Sequence, residues 1–231
     1  MTWFPSRWPP SSPDRLQLYS LATPNGQKIG IALEEMALEY DAHLIDIGND
    51  DQFDDDYLKL SPNGKIPTLS DPHGPDGEQV LLMETGAILM YLADKTGKFL
   101  PTKTSARQQV IQWLFFQVAH VGPMFGQFGH FFKFARDKTQ DPYALNRYLL
   151  ESRRLLDVLD ERLEEHEFIA GDTYSIADIA TAPWVDVLDG FYAAGEALKL
   201  DEFEHLDRWR QAVVSRPAYQ RGRKVCAREQ G

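Results

Sequence analysis

The sequence predicts an α/β domain followed by an all-helical domain. From residue 16 to about residue 97, strand and helix periodicities alternate in the order β-α-β and then β-β-α. Gly97 and Pro101 interrupt this pattern, and no strand signal returns after them. The predicted organisation is an irregular N-terminal arm over residues 1–14, an α/β domain over 15–96, a linker over 97–104 and an all-helical domain over 105–231.

Periodicity and the surrounding turn formers place each element. In the first domain we expect strands at 16–21, 43–47, 66–70 and 79–83, and helices at 26–38 and 85–95. Residues 71–77 are dense in turn formers and should join the last two strands as an antiparallel hairpin. In the second domain we expect helices at about 105–135, 142–166, 176–188 and 203–215.

The N-terminal arm is rich in Pro and Ser, with Trp3, Phe4 and Trp8 as its only large apolar groups. Such a composition does not predict regular structure. The aromatic rings could dock on the folded domain or on a partner, and a disordered arm agrees with the sequence equally well.

Composition excludes several classes of function. The 231-residue chain carries a net charge of −11 at pH 7, which repels nucleic-acid phosphate and anionic lipid. No apolar run approaches the roughly 18 to 20 residues of a membrane helix, and the first residues lack the basic and apolar blocks of a signal peptide. We therefore expect a cytoplasmic protein with no membrane or nucleic-acid partner. Cys226, the single cysteine, cannot form an internal disulfide and is interpreted as an incidental tail thiol.

The segment Thr23-Pro24-Asn25-Gly26 lies where the first strand passes into the first helix. Such a corner points free backbone N–H groups at a bound anion. Its hydroxyl and carboxamide donate hydrogen bonds but carry no redox electrons, so any thiol chemistry requires a sulfur from outside the chain. Tyr19, on the preceding strand, is expected to pack against the sheet, although a shifted corner could bring its hydroxyl near that sulfur.

The second domain has a clear helix-start signal in Ser175 and Asp178. The spacing is that of a capping box, in which the hydroxyl and the carboxylate bond each other's backbone N–H groups. A cap contributes about 1 kcal/mol of stability, which explains both residues without a catalytic role.

Aromatic residues are dense between positions 113 and 134, and we expect half of these rings in the core. The interspersed Gly122, Pro123, Gly126 and Gly129 should disrupt the helix and leave room for an open second-substrate site that the remaining rings line. His120 and His130 have no metal-ligand spacing with other residues and are interpreted as structural. We expect no metal site.

Several motifs together resemble those of cytosolic glutathione transferases. The stretch from Ser61 to Pro67 is similar to the loop before the family's cis-proline, Glu84-Thr85 to its acidic-hydroxyl pair, and Ser175 to Asp178 to its capping box. The resemblance covers the chain from about residue 15 onward. It implies a thioredoxin-like N-terminal domain and the glutathione transferase fold.

Three further segments resemble the Nu class, the glutathione transferase-like disulfide-bond oxidoreductases. They are Thr23 to Gly26, Gly48 to Phe53 and Trp113 to Gln117. The resemblance implies that Thr23 and Asn25 stabilise the thiolate of bound glutathione. It also implies that Arg147 reaches a second glutathione or the far half of a glutathione disulfide, although an ordinary surface arginine would look the same.

The remaining site residues follow from the same resemblance. Glu84 would meet the ammonium of glutathione, and Thr85 with its helix N-terminus would bind the γ-glutamyl carboxylate. Ile66, before a cis Pro67, would pair with the cysteinyl backbone, while Lys65 and Gln52 would hold the glycyl end. A generic helix-start acid explains Glu84 as well, and a solvated loop residue explains Gln52.

The predicted function is glutathione-dependent reduction of small disulfides without a protein cysteine, with weak conjugation or organic peroxidase activity. One disulfide or two reduced glutathione molecules should bind each subunit of a homodimer. Two alternatives remain at this stage: a non-catalytic glutathione-binding regulatory protein and a plain conjugating glutathione transferase.

Overall fold

The computed structural model describes residues 2–228, which form two compact units. The first unit combines residues 2–98 with 217–228, and the second comprises residues 99–216. The predicted helical domain at 105–231 therefore extends too far, because its last segment packs with the α/β unit. Residue 1 of the predicted arm and residues 229–231 of the predicted helical domain lie outside the described residues.

The first unit contains a four-stranded sheet in the order β2-β1-β3-β4. β1 pairs parallel with β2 and antiparallel with β3, and β3 and β4 form the predicted antiparallel hairpin. The predicted β-α-β and β-β-α order is confirmed. The strands are β1 (Leu16–Ser20), β2 (Tyr40–Leu44), β3 (Thr68–Asp71) and β4 (Val80–Met83).

β2 ends before most of its predicted range, 43–47. Ile45 still donates its N–H to Ser20 O at 2.8 Å, but Asp46 then caps a short helical turn over Ile47–Asn49. The apolar residues that suggested a longer strand therefore belong partly to this turn.

The helices that alternate with the strands or follow them are α1 (Pro24–Met36), α2 (Asp55–Leu60) and α3 (Thr85–Thr96). α1 begins two residues before its predicted start because Thr23 caps it and Pro24 occupies its first position. α2 has no predicted counterpart, although Asp54 caps it and it buries Tyr57 and Leu60.

The N-terminal arm, which contains no helix or strand over residues 2–14, is docked on the first unit. The Trp8 ring meets the Tyr57 ring edge-on at 6.3 Å, and Arg7 Nη2 lies 2.6 Å from the carboxylate of Asp51. Trp3 exchanges two hydrogen bonds with the side chain of Gln79. Of the two alternatives for the arm, the structure shows the docked one.

The C-terminal segment packs on α1 through α10 (Pro217–Gly222) and the turn that follows it. Tyr219 is fully buried, and Arg221 pairs with Glu34 of α1 at 2.7 Å. The carbonyl of Cys226 accepts the N–H of Ala22 at 3.1 Å. These contacts explain why this segment departs from the helical unit.

The second unit is helical, as predicted, and within the described residues no helix is long and apolar enough to cross a lipid bilayer. Its helices are α4 (Thr104–Phe116), α5 (Gly122–Gly129), α6 (Tyr143–Glu165), α7 (Ile176–Asp189), α8 (Gly195–Leu198) and α9 (Glu204–Val214).

The chain from α4 to residue 134 stays helical throughout, so the expected disruption at the glycines and Pro123 is wrong. Two π-helical segments, Gln117–Val121 and His130–Phe134, flank α5 and replace a break. The wider π turn accommodates a residue that cannot complete the regular hydrogen-bond ladder, such as Pro123. Gly129 does not open a space either, because it faces Tyr192 of the same unit.

This close approach predicts a large loss of stability for Gly129→Ala. A Cβ at position 129 would lie 2.1 Å from Tyr192 Cζ, so the ring has to move, at about 1–3 kcal/mol in free energy of unfolding. Gly126→Ala is the control, since its Cβ would lie 3.2 Å from Trp184 Cη2. Urea unfolding gives the free energy of unfolding of both variants. Equal values for Gly129→Ala and Gly126→Ala would contradict this packing.

The predicted capping box at the start of α7 is confirmed, and it is more extensive than a simple cap. Ser175 Oγ accepts the N–H of Ala177 at 3.3 Å, and Asp178 accepts the N–H of Ser175 at 2.9 Å. The same carboxylate accepts the N–H of Ile169 at 3.0 Å and Trp209 Nε1 at 2.9 Å. Asp178 therefore connects three separate parts of the helical unit.

Candidate functional site

The corner between β1 and α1 presents two polar side chains at a helix N-terminus. Thr23 caps α1, accepting the N–H of Gly26 at 3.4 Å, and Asn25 is the second residue of the helix. A hydroxyl that accepts one bond still has its own hydrogen to donate. Because the first turn contains no acidic residue, the positive end of the helix dipole is not neutralised there. The corner is suited to binding an anion.

Gly26 allows α1 to begin this close to β1. A Cβ at this position would lie 1.8 Å from the carbonyl oxygen of Leu21 and 2.5 Å from Ser20 Oγ. Both atoms belong to the end of the strand and its exit, so no larger residue fits without moving the corner. The position of Asn25 therefore depends on the adjacent glycine.

A second helix N-terminus lies where β4 passes into α3. Glu84 has a φ of 69°, which is unusual for a residue other than glycine and is typical of functional sites. Its side chain makes no capping hydrogen bond to α3, so no cap occupies the N–H groups of the first turn. Thr85, the first residue of the helix, is 8% exposed. This arrangement suits a carboxylate at α3 and an ammonium at Glu84.

The peptide between Ile66 and Pro67 is cis, as the resemblance implies. Two hydrogen bonds fix the backbone of Lys65, just before this peptide. The Tyr57 hydroxyl donates to the Lys65 carbonyl at 2.8 Å, and Ser61 Oγ accepts the Lys65 N–H at 3.1 Å. The Lys65 side chain is exposed and available to an anion.

Gln52 lies beside this loop, in the short helical turn Asp51–Phe53. A Cβ on Gly64, which belongs to the loop, would lie 3.4 Å from the backbone carbonyl oxygen of Gln52. Within the described residues, the buried Gln52 Oε1 has no hydrogen-bond partner. An unsatisfied buried acceptor calls for an explanation, and a bound ligand supplies one.

Strand register brings the corner, the cis-proline and Glu84 to the same end of the sheet. Tyr19 of β1 pairs with Thr68 of β3, and Thr68 pairs in turn with Met83 of β4. Pro67 and Glu84 are therefore neighbours in register, next to the end of β1 that leads into Thr23. Six of the predicted residues lie at this end of the sheet or next to it in the chain: Thr23, Asn25, Ile66, Pro67, Glu84 and Thr85.

Comparison with known proteins is consistent with this arrangement. A family model described as the glutathione S-transferase N-terminal domain matches residues 22–95, and one described as the C-terminal domain matches residues 121–217. Disulfide-bond oxidoreductase YghU of Escherichia coli is 47% identical over 219 residues, which are 91% of this chain and 74% of that protein. This chain belongs to the glutathione S-transferase family.

Two crystal structures of glutathione transferases are also closely similar. One, from Burkholderia graminis, has two glutathione molecules bound per subunit; it is 50% identical, has a TM-score of 0.94 and aligns over 97% of this chain and 93% of its own. Another, from Pseudomonas putida, has one glutathione disulfide bound per subunit; it is 46% identical, with a TM-score of 0.93 and 95% coverage of both chains. The predicted fold and family are confirmed.

Two side chains of this glutathione S-transferase are poorly suited to thiol chemistry. Tyr19 is fully buried and stacked on His43 at 4.5 Å, and burial raises the pKa of its phenol well above the usual value. Burial likewise raises the pKa of the Cys226 thiol to about 12, so it is almost entirely protonated at neutral pH. Within residues 2–228 no cluster of three acidic, His or Cys side chains could hold a metal ion.

Arg147 belongs to the second unit, on α6. It lines a surface pocket of about 480 Å³ together with Tyr143, Asn146, Leu150, Glu151 and Arg154. Arg154 pairs with Glu151 at 2.7 Å and lowers the pKa of that carboxyl. The charge of Arg147 also lowers the pKa of Glu151, and its exposed guanidinium is accessible to an anionic ligand.

Lys28, which none of the sequence patterns above singled out, is buried on α1 beside this site. Its Nζ lies 3.2 Å from Thr85 Oγ1, and burial lowers the pKa of the ammonium to about 7 against the opposing charge of Glu84. The available signal was a lysine on the same helix face as the fully buried Ile31 and Ala32. A charge in an apolar stripe requires a specific reason.

Proposed function

We propose that this protein is a glutathione-dependent disulfide-bond oxidoreductase in which bound glutathione provides the reacting sulfur. The observation that carries the proposal is the β1–α1 corner, where Thr23 and Asn25 offer donors at a helix N-terminus. The single cysteine, Cys226, borders this corner through its carbonyl, which accepts the N–H of Ala22, but burial raises the pKa of its thiol to about 12 and keeps it protonated. The family membership and the oxidoreductase among its relatives support the same reaction.

Glutathione would lie across the sheet end that carries the two helix N-termini. Its γ-glutamyl ammonium would meet Glu84, and its carboxylate would meet Thr85 and the first N–H groups of α3. The cysteinyl backbone would pair with Ile66 before the cis-proline. The glycyl carboxylate would bind Lys65 and the amide of Gln52, whose unpartnered Oε1 would accept an N–H of the peptide.

The reaction is a pair of thiol-disulfide exchanges. The bound glutathione thiolate attacks one sulfur of a small disulfide, so that a mixed disulfide forms and one substrate thiolate leaves. A second glutathione thiolate then attacks the glutathione sulfur of the mixed disulfide, giving glutathione disulfide and the second substrate thiolate. Two glutathione molecules are oxidised and one disulfide is reduced to two thiols, with protons returning from solvent.

Two tripeptides side by side place four carboxylates in one site, which requires local cations in a chain of net charge −11. The relatives from B. graminis and P. putida, with two glutathiones or one glutathione disulfide bound, support this stoichiometry. Arg147 is our candidate for the second molecule. Arg221 of the basic tail is less suitable because it already pairs with Glu34 at 2.7 Å.

We therefore expect Arg147→Ala to weaken the second glutathione about tenfold and to leave the first almost unchanged, since a charge-assisted hydrogen bond contributes about 1.5–3 kcal/mol. Titration calorimetry counts both molecules. Arg153→Ala is the control, because it removes the same charge from the same helix at a residue that pairs with Glu202 at 2.7 Å and does not line the Arg147 pocket. One glutathione per subunit in the wild type, or equal effects of both variants, would count against this assignment.

The proposal extends to a cytoplasmic homodimer with weak conjugation and organic peroxidase activities, as the resemblance implies. Sedimentation velocity tests the dimer, and assays with an electrophile and an organic peroxide rank the activities. Faster conjugation than disulfide reduction would favour the plain transferase, and glutathione binding without turnover would favour a regulatory protein.

A further inference from the structure

Lys28 joins the two helices whose N-termini form the candidate site, and the reaction described above gives it no role. Only 2% of its surface is exposed. Its Nζ contacts Thr85 Oγ1 at 3.2 Å, which connects α1 to the first residue of α3. Burying an ammonium is costly, and an apolar side chain would fill the space between two packed helices at lower free energy.

In the protonated form of Lys28, the contact fixes the direction in which the Thr85 hydroxyl can donate. An ammonium has donors and no acceptor, so Thr85 Oγ1 accepts from Lys28. The hydroxyl hydrogen of Thr85 is then left to donate to another group. In the proposed complex that group is the γ-glutamyl carboxylate, which lies at the same helix N-terminus.

The charge of Lys28 acts in the same direction. An ammonium one hydroxyl away from a carboxylate stabilises it more strongly in a buried site than in water, because the local dielectric is low. Burial lowers the pKa of Lys28 to about 7, and the negative charge of Glu84 opposes this shift by favouring the protonated amine. A bound carboxylate adds negative charge near the same amine.

We propose that Lys28 is a positioning residue for the γ-glutamyl carboxylate of glutathione, orienting the Thr85 hydroxyl and placing a buried positive charge behind it. This inference rests on the proposed glutathione site. It predicts a role in affinity and almost none in the chemical steps, because the thiolate lies at the other helix N-terminus.

The test is a double-mutant cycle on glutathione affinity and on steady-state disulfide reduction. Lys28→Met is expected to weaken glutathione about tenfold, the value for a lost charge-assisted bond, with kcat at saturation changed less than about twofold. Thr85→Val should weaken it by a similar factor. In the Thr85→Val background, Lys28→Met should have a clearly smaller effect than in the wild type, since the hydroxyl that Lys28 orients is gone and only its charge still acts on the carboxylate. Lys98→Met is the control: Lys98 Nζ donates to Met36 O at 2.8 Å, in the same unit but outside the site.

A glutathione analogue without the γ-glutamyl carboxylate gives a second readout that a purely structural lysine would not affect. Wild type, Lys28→Met and Lys28→Gln should bind this analogue equally. If Thr85→Val leaves glutathione affinity unchanged, the proposed site itself is wrong. If Thr85→Val weakens binding but Lys28→Met has its full effect in both backgrounds, or weakens the analogue equally, the site stands and the role of Lys28 is refuted.

Discussion

Asn25→Ala is expected to lower the rate of disulfide reduction by about 100-fold, as for the loss of one donor to a reacting anion. A free thiol with a pKa of about 8.5 is mostly protonated at pH 7. Lowering that pKa by about two units takes roughly 2.7 kcal/mol of preferential stabilisation of the thiolate. In the proposed site, Asn25, the Thr23 hydroxyl and the N-terminus of α1 provide it together. Removing the carboxamide should therefore affect the rate much more than glutathione affinity.

Ultraviolet absorbance of the bound thiolate, followed as the pH is varied, measures this effect directly. The titration midpoint should move upward in Asn25→Ala. Gln27→Ala is the matched control, because Gln27 carries the same amide at the same corner but donates it to Ala22 O at 3.2 Å. Equal midpoints in the wild type and Asn25→Ala would exclude Asn25 as a thiolate donor.

Asp178→Ala is expected to destabilise the helical unit by about 3–5 kcal/mol. The loss of an ordinary helix cap costs only about 1 kcal/mol. The substitution leaves buried donors of Ile169, Ser175 and Trp209 without their acceptor. Each unsatisfied buried donor costs about 1–3 kcal/mol.

Asp178→Asn serves as the graded control for this site. One carboxylate oxygen accepts from Ile169 and Trp209, and the other accepts from Ser175. An amide preserves the first pair and turns a donor toward Ser175, so we expect an intermediate loss. Denaturant unfolding followed by circular dichroism provides the values. A loss below about 1 kcal/mol in Asp178→Ala would limit the residue to the simple cap.

Local patterns predicted the elements that local interactions determine. The first strand, its helix and the β3–β4 hairpin follow from alternating apolar residues and turn formers, and the Ser175–Asp178 spacing gives the cap that starts α7. The glycine in the corner motif is likewise explained, since only glycine fits beside the Leu21 carbonyl.

The features that the sequence did not predict depend on long-range contacts. The tail leaves the helical unit because Tyr219 and Arg221 find partners on the first unit, more than 180 residues away for the Arg221–Glu34 pair. Lys28 looks like a solvated lysine until α3 covers it. The glycines at 122–129 suggested breaks in the helix. In the structure two π-helical segments keep the chain helical, and Gly129 faces the ring of Tyr192.

The most direct test of the proposed chemistry is glutathione-dependent reduction of 2-hydroxyethyl disulfide by Cys226→Ser, coupled to glutathione reductase. This variant contains no thiol, because Cys226 is the single cysteine of the chain. If glutathione provides both sulfurs, the variant should retain nearly the full rate of the wild type, and prior alkylation of the wild type should not inhibit it. Loss of most activity in Cys226→Ser, or no turnover by either protein, would contradict the account.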